Sequence, residues 1–470
     1  MNQVTHLSAS LVVLCLIHQA MAAPPAELAP ALEPDQEIQL EDPGFRGHIK
    51  IYVPSDYTPD RSWPVLFNYH GMNGRPTTQP VRQMIDGRGA IVVGMSYPSE
   101  NSHDTFNREA LHEERQHLQR VAGIVNRHLN VDEQLIFLGG TSRGGFYTSV
   151  LVEAMPQDVA GLYCLASVRN DGDRGRVPPA MRGMSVYMAY GSEDPHGNRG
   201  DDAVRVYQQA GLKVTREIWP GLGHTIKRDC EVFDAWIDEH VRQPSLQRGL
   251  DQAKQLQRRE AGRAYQQMHA IAEDAEGLVA EQAKRAADQI ATKAEAELAR
   301  AEAMRDGGDG HAALRLWMNV HRRYAHSPFA ERAREQIDAM REDEAIDPQL
   351  AQQIIDALAS DLYRQARQAM QQRDAARAVT LYERYLERYP EASEYQRVQA
   401  SVERLKATPH VEQALLDAEA AAEGEELLAW AQTYVEAGSP AKAKQVLERV
   451  LAEYPRTSYA ERAEQLLANR

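Results

Sequence analysis

Cysteine is scarce in this 470-residue chain, which has three. So few exclude a disulfide-stapled scaffold, and none has a partner at metal-ligand spacing, so no zinc site is expected. Cys15 lies in an N-terminal apolar stretch. Cys164 and Cys230 remain, either as a disulfide or as two buried thiols. Positive charge is also in deficit. The 53 Lys and Arg face 68 Asp and Glu, for a formal net charge of −15. A chain this acidic is a poor phosphate-backbone binder, so no nucleic-acid partner is expected. Beyond the N-terminus there is no apolar run long enough to cross a bilayer, and the mean hydropathy is −0.55. The mature chain is therefore expected to have no transmembrane span. What the chain does have is length, more than a single core normally supports, so two or three domains are expected.

The N-terminus reads as a targeting segment. Leu7 to Ile17 forms an apolar core, and Ala20-Met21-Ala22 supplies a small-x-small cleavage site. Residues 1–22 are thus expected to be a signal peptide, with export to a periplasm or the exterior, although Met1 to His6 lacks Lys and Arg. Residues 23–43, rich in Pro, Ala and acidic side chains, read as a disordered leader.

From His48 onward, strand and helix signals alternate. His48–Val53 alternates apolar and polar residues as an edge strand would. Pro64–Gly71, Ala90–Tyr97, Leu135–Leu138, Gly161–Val168, Ser185–Tyr190 and Lys213–Trp219 are further strands. Helical stretches at Arg108–Leu129, Gly145–Met155, Asp201–Ala210 and Glu231–Val241 lie among and after them. Such alternation argues for an α/β class with a parallel sheet covered on both faces.

The chemistry concentrates at Gly140-Thr-Ser142-Arg-Gly144, between the apolar run Leu135–Leu138 and the helix that follows. Alone, Gly-x-Ser-x-Gly can be an ordinary glycine-rich turn. With a strand before and a helix after, it reads as a nucleophile elbow, whose bare glycines let the serine sit on a strained turn. Asp194 follows the Ser185–Tyr190 strand, and His224 follows the strand ending at Trp219. A serine hydroxyl needs a base to take its proton, and the imidazole needs a carboxylate to hold its tautomer. Ser142, Asp194 and His224 fit those roles in that chain order, with Glu193 as the alternative acid. Two backbone donors are needed for the oxyanion; the N–H groups of Met72 and Arg143 are the candidates, with Asn73 as a substitute. His70 reads as a brace for that loop, and His103, His112, His117 and His196 as surface or structural histidines. Arg143, Arg169, Arg174, Arg176, Arg199, Lys227 and Arg228 either recognise an anionic or phenolic substrate or are solvated charges balanced by Asp171, Asp173, Asp201 and Asp202.

His70-Gly71, the elbow around Ser142, Gly191-x-x-Asp194 and Gly223-His224 occur in one order over residues 44–243. This stretch resembles α/β-hydrolase esterases of the poly(3-hydroxyalkanoate) depolymerase, feruloyl esterase and dienelactone hydrolase type. The resemblance implies a serine esterase without cofactor or metal. Too little chain separates Val168 from Ser185 for a helical lid, so an open site is expected.

Past Val241 the strand signals stop. Pro244-Ser245 breaks the last hydrolase helix and marks a boundary, so a domain ending near Gln243 is expected to fold and act alone. Residues 246–306 read as a long helical connector, with bends at Gly262 and Gly277. Over residues 307–470 a pattern recurs every 65 residues: Gly308, Arg373 and Gly438; Ala313, Ala378 and Ala443; Trp317, Tyr382 and Leu447; Tyr324, Tyr389 and Tyr454. A small alanine, a large residue four later and then Tyr-Pro resembles the second helix of a tetratricopeptide unit. The period is about twice the usual ~34 residues, so a degenerate helix pair is expected between clear ones. The fold class is thus an α/β-hydrolase sheet domain followed by an all-α, tetratricopeptide-like domain. The expected function is an exported serine hydrolase that cleaves small or polymeric carboxylic esters through an acyl-enzyme, with helical repeats offering a scaffold for a protein partner. The alternatives are a scaffold with an idle hydrolase domain, or a peptidase or acyltransferase on the same triad.

Overall fold

A computed structural model describes residues 32–42, 47–97, 108–169, 176–343 and 346–468. The expected signal peptide lies outside the described residues, as do His103 and Arg174. Eight strands form one sheet: β1 (Glu37–Asp42), β2 (Gly47–Tyr52), β3 (Trp63–Tyr69), β4 (Ile91–Met95), β5 (Val131–Thr141), β6 (Gly161–Leu165), β7 (Ser185–Gly191) and β8 (Lys213–Trp219). Their order is β1-β2-β4-β3-β5-β6-β7-β8. β2 runs antiparallel to both of its neighbours, β1 and β4, and every other pairing is parallel.

β1 corrects one expectation. It falls within the stretch read as a disordered leader, and it displaces His48–Val53 from the edge. Its Ile38 and Leu40 alternate with Glu37, Gln39 and Glu41, so one face enters the core while the other stays in water. The surrounding Pro and Glu masked that short alternation.

The inner strands are buried on both sides because helices cover both faces. Val65, Phe67 and Tyr69 of β3 face α2 (Arg108–His128) and α3 (Arg143–Ala154). Leu66 faces the opposite layer with Val92 and Phe137, toward α1 (Val81–Met84) and α5 (Glu231–Ile237). α4 (Gly200–Gln209) joins the first layer through Ala203 and Tyr207. Cys164 belongs to the first layer and Cys230 to the second. The two thiols are free and buried.

Pro244 does not end the helix. α5 runs through a π turn at Asp238–Arg242 into α6 (Gln243–Leu256), with Pro244 in its first turn. A proline ring normally collides with the carbonyl four residues back, and the wider turn just before it relieves that conflict. Nor is 246–306 a connector. α6, α7 (Ala261–Asp274) and α8 (Gly277–Asp306) share a core with the helices that follow. Gly262 is a site of close packing rather than a bend, since a Cβ there would lie 2.0 Å from the Ala325 carbonyl oxygen.

The remaining helices are α9 (Gly310–Arg323), α10 (Pro328–Arg341), α11 (Pro348–Gln371), α12 (Ala375–Arg388), α13 (Tyr395–Lys406), α14 (Pro409–Glu436), α15 (Pro440–Glu453) and α16 (Ser458–Ala468). Each 65-residue period is a long helix (α8, α11 or α14), a 14-residue helix (α9, α12 or α15) and a third of 14, 12 or 11 residues (α10, α13 or α16). The expected intervening pair is therefore merged: its second helix is the first half of the next long helix. Gly308, Arg373 and Gly438 adopt φ of 83°, 62° and 70°, the left-handed stop after each long helix. Ala313, Ala378 and Ala443 are fully buried where the helices cross.

The array touches the sheet domain at both ends. Arg248 of α6 pairs with Asp132 at 3.1 Å, and Asp274 at the end of α7 lies 3.8 Å from Arg61. At the other end α14 packs on α2, where Arg127 bonds Thr433 at 2.8 Å and Glu436 at 2.7 Å. These contacts lie beside the N-terminal ends of β3 and β5. Ser142, Asp194 and His224 follow the C-terminal ends of β5, β7 and β8, at the opposite pole. Among the described residues, α6–α8 do not cover the site.

Candidate active site

Ser142 caps α3 with φ 52° and ψ −117°, a left-handed conformation strained for any residue with a Cβ. The strain aims its side chain out of the turn. Closure of that turn requires glycine on either side. A Cβ on Gly144 would lie 2.1 Å from the Tyr69 carbonyl oxygen, and one on Gly140 would lie 2.4 Å from it.

The loops after β7 and β8 bring the other two groups in. Ser142 Oγ lies 2.7 Å from His224 Nε2, and His224 Nδ1 lies 2.8 Å from Asp194 Oδ2. The second oxygen of Asp194 accepts the His196 backbone N–H at 2.9 Å. Asp194 is buried while His224 is about one-third exposed. The carboxylate is thus fixed and dry behind an imidazole open to solvent. Glu193 points outward and is exposed. Gly191 allows the β7 and β8 loops to meet, because a Cβ there would fall 2.0 Å from the Leu222 carbonyl oxygen.

Beside the serine, Gly71 to Gly74 forms a turn closed by the Gly74 N–H donating to the Gly71 oxygen at 3.0 Å, with Asn73 at φ 59°. A Cβ on Gly71 would lie 3.5 Å from Ser142 Cβ, so this turn borders the nucleophile. Met72 sits at its tip, 63% exposed. Arg143 opens the 12-residue α3, so its N–H is among the first-turn donors without an intrahelical acceptor. His70 Nδ1 lies 2.8 Å from the Gly71 oxygen, and burial lowers its pKa. The Tyr97 hydroxyl donates to the His70 oxygen at 2.7 Å.

Beneath this turn lies a cluster the sequence did not announce. Glu114 of α2 is fully buried and accepts from the hydroxyls of Tyr69 and Tyr147, the latter at 2.8 Å. Burial raises its pKa to about 7, against the opposing effect of the two tyrosines. Tyr97 stacks edge-on with both Tyr147 and His70. Glu114 sits in a run of charged residues that reads as a solvated helix face, and only its tertiary partners distinguish it. His117, expected as a surface or structural histidine, is buried, and burial with Arg120 lowers its pKa to about 3. Of the loop cations, Arg169 is buried in a two-pronged pair with Glu153, at 2.7 and 3.0 Å, and Lys227 pairs with Glu217 at 3.4 Å.

One further group is brought together. Ligand atoms of Asp194, His196 and His224 all lie within 4.8 Å of one another. Sequence spacing offered Asp194-x-His196, but not its closure by His224 from another loop.

Residues 362–392 and 427–457 match the tetratricopeptide repeat family. The helical region carries tetratricopeptide repeats. In each match the last turns of a long helix pair with the 14-residue helix after it, α11 with α12 and α14 with α15. Similar solved structures include esterases. A thermostable esterase is 19% identical, with a TM-score of 0.30 over 39% of this chain and 54% of that one. This chain thus spans about half of that protein's length. A carboxylesterase from Bacillus cereus is 19% identical, with a TM-score of 0.33 over 44% of this chain and 94% of that one. A ferulic acid esterase from Anaeromyces mucronatus is 12% identical, with a TM-score of 0.32 over 44% and 89%. No curated protein matches the chain. The α/β-hydrolase fold of the N-terminal half rests on its own sheet order, crossovers and strained serine turn.

Proposed function

We propose that this protein is an exported serine hydrolase that cleaves carboxylic esters. The observation that carries the reading is the chain of hydrogen bonds from Ser142 Oγ to His224 to the buried Asp194, built on a left-handed serine. In this reading His224 Nε2 takes the Ser142 proton as Oγ attacks the ester carbonyl. Asp194 holds the Nδ1–H tautomer and stabilises the imidazolium. The N–H groups of Arg143 and Met72 receive the oxyanion, and the N-terminal end of α3 adds its dipole. The imidazolium then protonates the departing alkoxide. Water, deprotonated by the same imidazole, releases the acid from Ser142 and restores the serine.

The site lies at the pole away from the helical array, which suits a bulky or polymeric ester as well as a small one. Export rests on the N-terminal sequence alone, and the repeats are read as a docking scaffold for a protein partner. The experiment is labelling by a fluorophosphonate together with turnover of p-nitrophenyl, feruloyl and hydroxyalkanoate esters. Wild type should label and turn over at least one ester, and Ser142→Ala should do neither while keeping its circular dichroism spectrum. A wild-type chain that is folded but neither labels nor hydrolyses would favour the scaffold reading with an idle hydrolase domain.

A further inference from the structure

The mouth of the site holds an imidazole for which the proposed hydrolysis has no use. His196 stands two residues after Asp194. Its backbone N–H holds Asp194 Oδ1, but its ring is turned elsewhere. That ring lies edge-on to His224 with centroids 5.0 Å apart, and edge-on to Phe146 at 5.6 Å. An exposed histidine is ordinarily a solvated one. This one converges with a second imidazole and a carboxylate, one donor atom from each lying within 4.8 Å of the other two. Both imidazoles face solvent, so an ion has a path in.

Two imidazole nitrogens and one carboxylate oxygen suit zinc and neighbouring transition metals. Calcium and magnesium favour oxygen ligands throughout. Tetrahedral zinc, with bonds of about 2.0–2.1 Å, needs donor atoms about 3.3 Å apart. The 2.8 Å contact between His224 and Asp194 must therefore open by about half an ångström. His196 must swing inward by rotation of an exposed side chain.

We propose that Asp194, His196 and His224 form a binding site for Zn²⁺ that switches the hydrolase off. Zinc takes the place of the proton between His224 Nδ1 and Asp194 Oδ2. That proton passes to solvent, three metal–ligand bonds form with water in the fourth position, and nothing is oxidised or reduced. The carboxylate then serves the metal, the imidazole turns toward it, and Ser142 Oγ loses its oriented base. Binding of the metal stands apart from the ester-hydrolase reading, whereas its effect on turnover rests on that reading.

The test is calorimetric titration of the full chain with ZnCl₂ in chelator-free buffer, with fluorophosphonate labelling followed in parallel. Wild type is compared with His196→Ala, and with His112→Ala as a control at an exposed histidine of α2. Wild type and His112→Ala should take up one zinc more per chain than His196→Ala. Zinc should suppress their labelling, relative to each variant's own metal-free rate, at concentrations more than ~100-fold lower. Loss of a mere outer-shell partner costs only ~10–100-fold. Equal uptake by wild type and His196→Ala would overturn the site, and so would zinc uptake that leaves labelling unchanged. If the wild type never labels even without metal, the hydrolase reading fails, while a calorimetric difference at His196 still upholds the metal site.

Discussion

The imidazole of His128, the last residue of α2, stacks on the indole of Trp430 in α14, with ring centroids 4.1 Å apart and planes 27° from parallel. The two residues are about 300 positions apart in sequence, and around them the final repeat shares a core with the sheet. Leu427, Leu428, Trp430 and Tyr434 belong to the same apolar cluster as Val121 and Val125 of α2 and Leu129 just after it. Burial and the neighbouring Arg127 lower the pKa of His128 to about 4, so the stacked ring is neutral near pH 7.

This contact revises the expectation that the first 243 residues fold and act alone. Trp430→Ala should destabilise the last repeat by ~3–5 kcal/mol, the usual cost of removing a buried indole. A chain ending at Gln243 should melt well below full length and bind a hydrophobic dye through the bared face of α2. Melting curves and dye fluorescence measure both. A truncated chain as stable as the whole protein would show that the shared core contributes nothing.

Asp194→Asn should lower ester turnover by ~10⁴-fold, since an asparagine favours the wrong imidazole tautomer. Glu193→Gln should stay near wild type, because Glu193 faces solvent. Steady-state kinetics on a p-nitrophenyl ester ranks the two, and the reverse ranking would reassign the acid.

Glu114 should make stability depend on pH. Its folded pKa of about 7 lies above the ordinary 4.5, so the unfolded chain releases the proton first as pH rises. The contribution is whole below about pH 4.5, falls as pH climbs, and is spent above about pH 7, for a swing of about 3 kcal/mol. Glu114→Gln should flatten that segment of the profile. Urea denaturation at pH 5 and pH 7.5 compares the slopes, and identical slopes in both proteins would refute the assignment.

Arg373 occupies the left-handed position that Gly308 and Gly438 fill in the other repeats. A side chain there costs ~1–2 kcal/mol, part of which glycine returns as extra freedom in the unfolded chain. Arg373→Gly should therefore raise stability by ~0.5–1 kcal/mol. Thermal melting of the full chain reads the sign, and a lower melting temperature would contradict it.

Much of this was legible in the sequence because it was local. The 65-residue register of Gly308, Arg373 and Gly438 marks a backbone turn, and a turn is set by the residue that makes it. The strands β3 to β7 announced themselves as apolar runs because helices cover both faces of the sheet's interior, whereas the edge strand β8 reads as alternation. What escaped was tertiary. Pro244 reads as a stop signal, and only the π turn before it lets the helix go on. Glu114 reads as surface charge until Tyr69 and Tyr147 are folded around it. His196 belongs with His224 only once two loops have met.

A solenoid held at one end can change its curvature by small rotations shared among its repeats. This one is held at both, by Arg248 and Asp274 at its start and by Trp430, Thr433 and Glu436 near its end. The array is thus tied to the sheet domain at two places, so a ligand that changed the angle between repeats would act on both ties. One tie is at the end of α2. From His128 that helix runs 14 residues, about 21 Å, back to Glu114 beneath the turn that borders Ser142. One helix thus joins the contact with the last repeat to the buried carboxyl beneath the serine's turn.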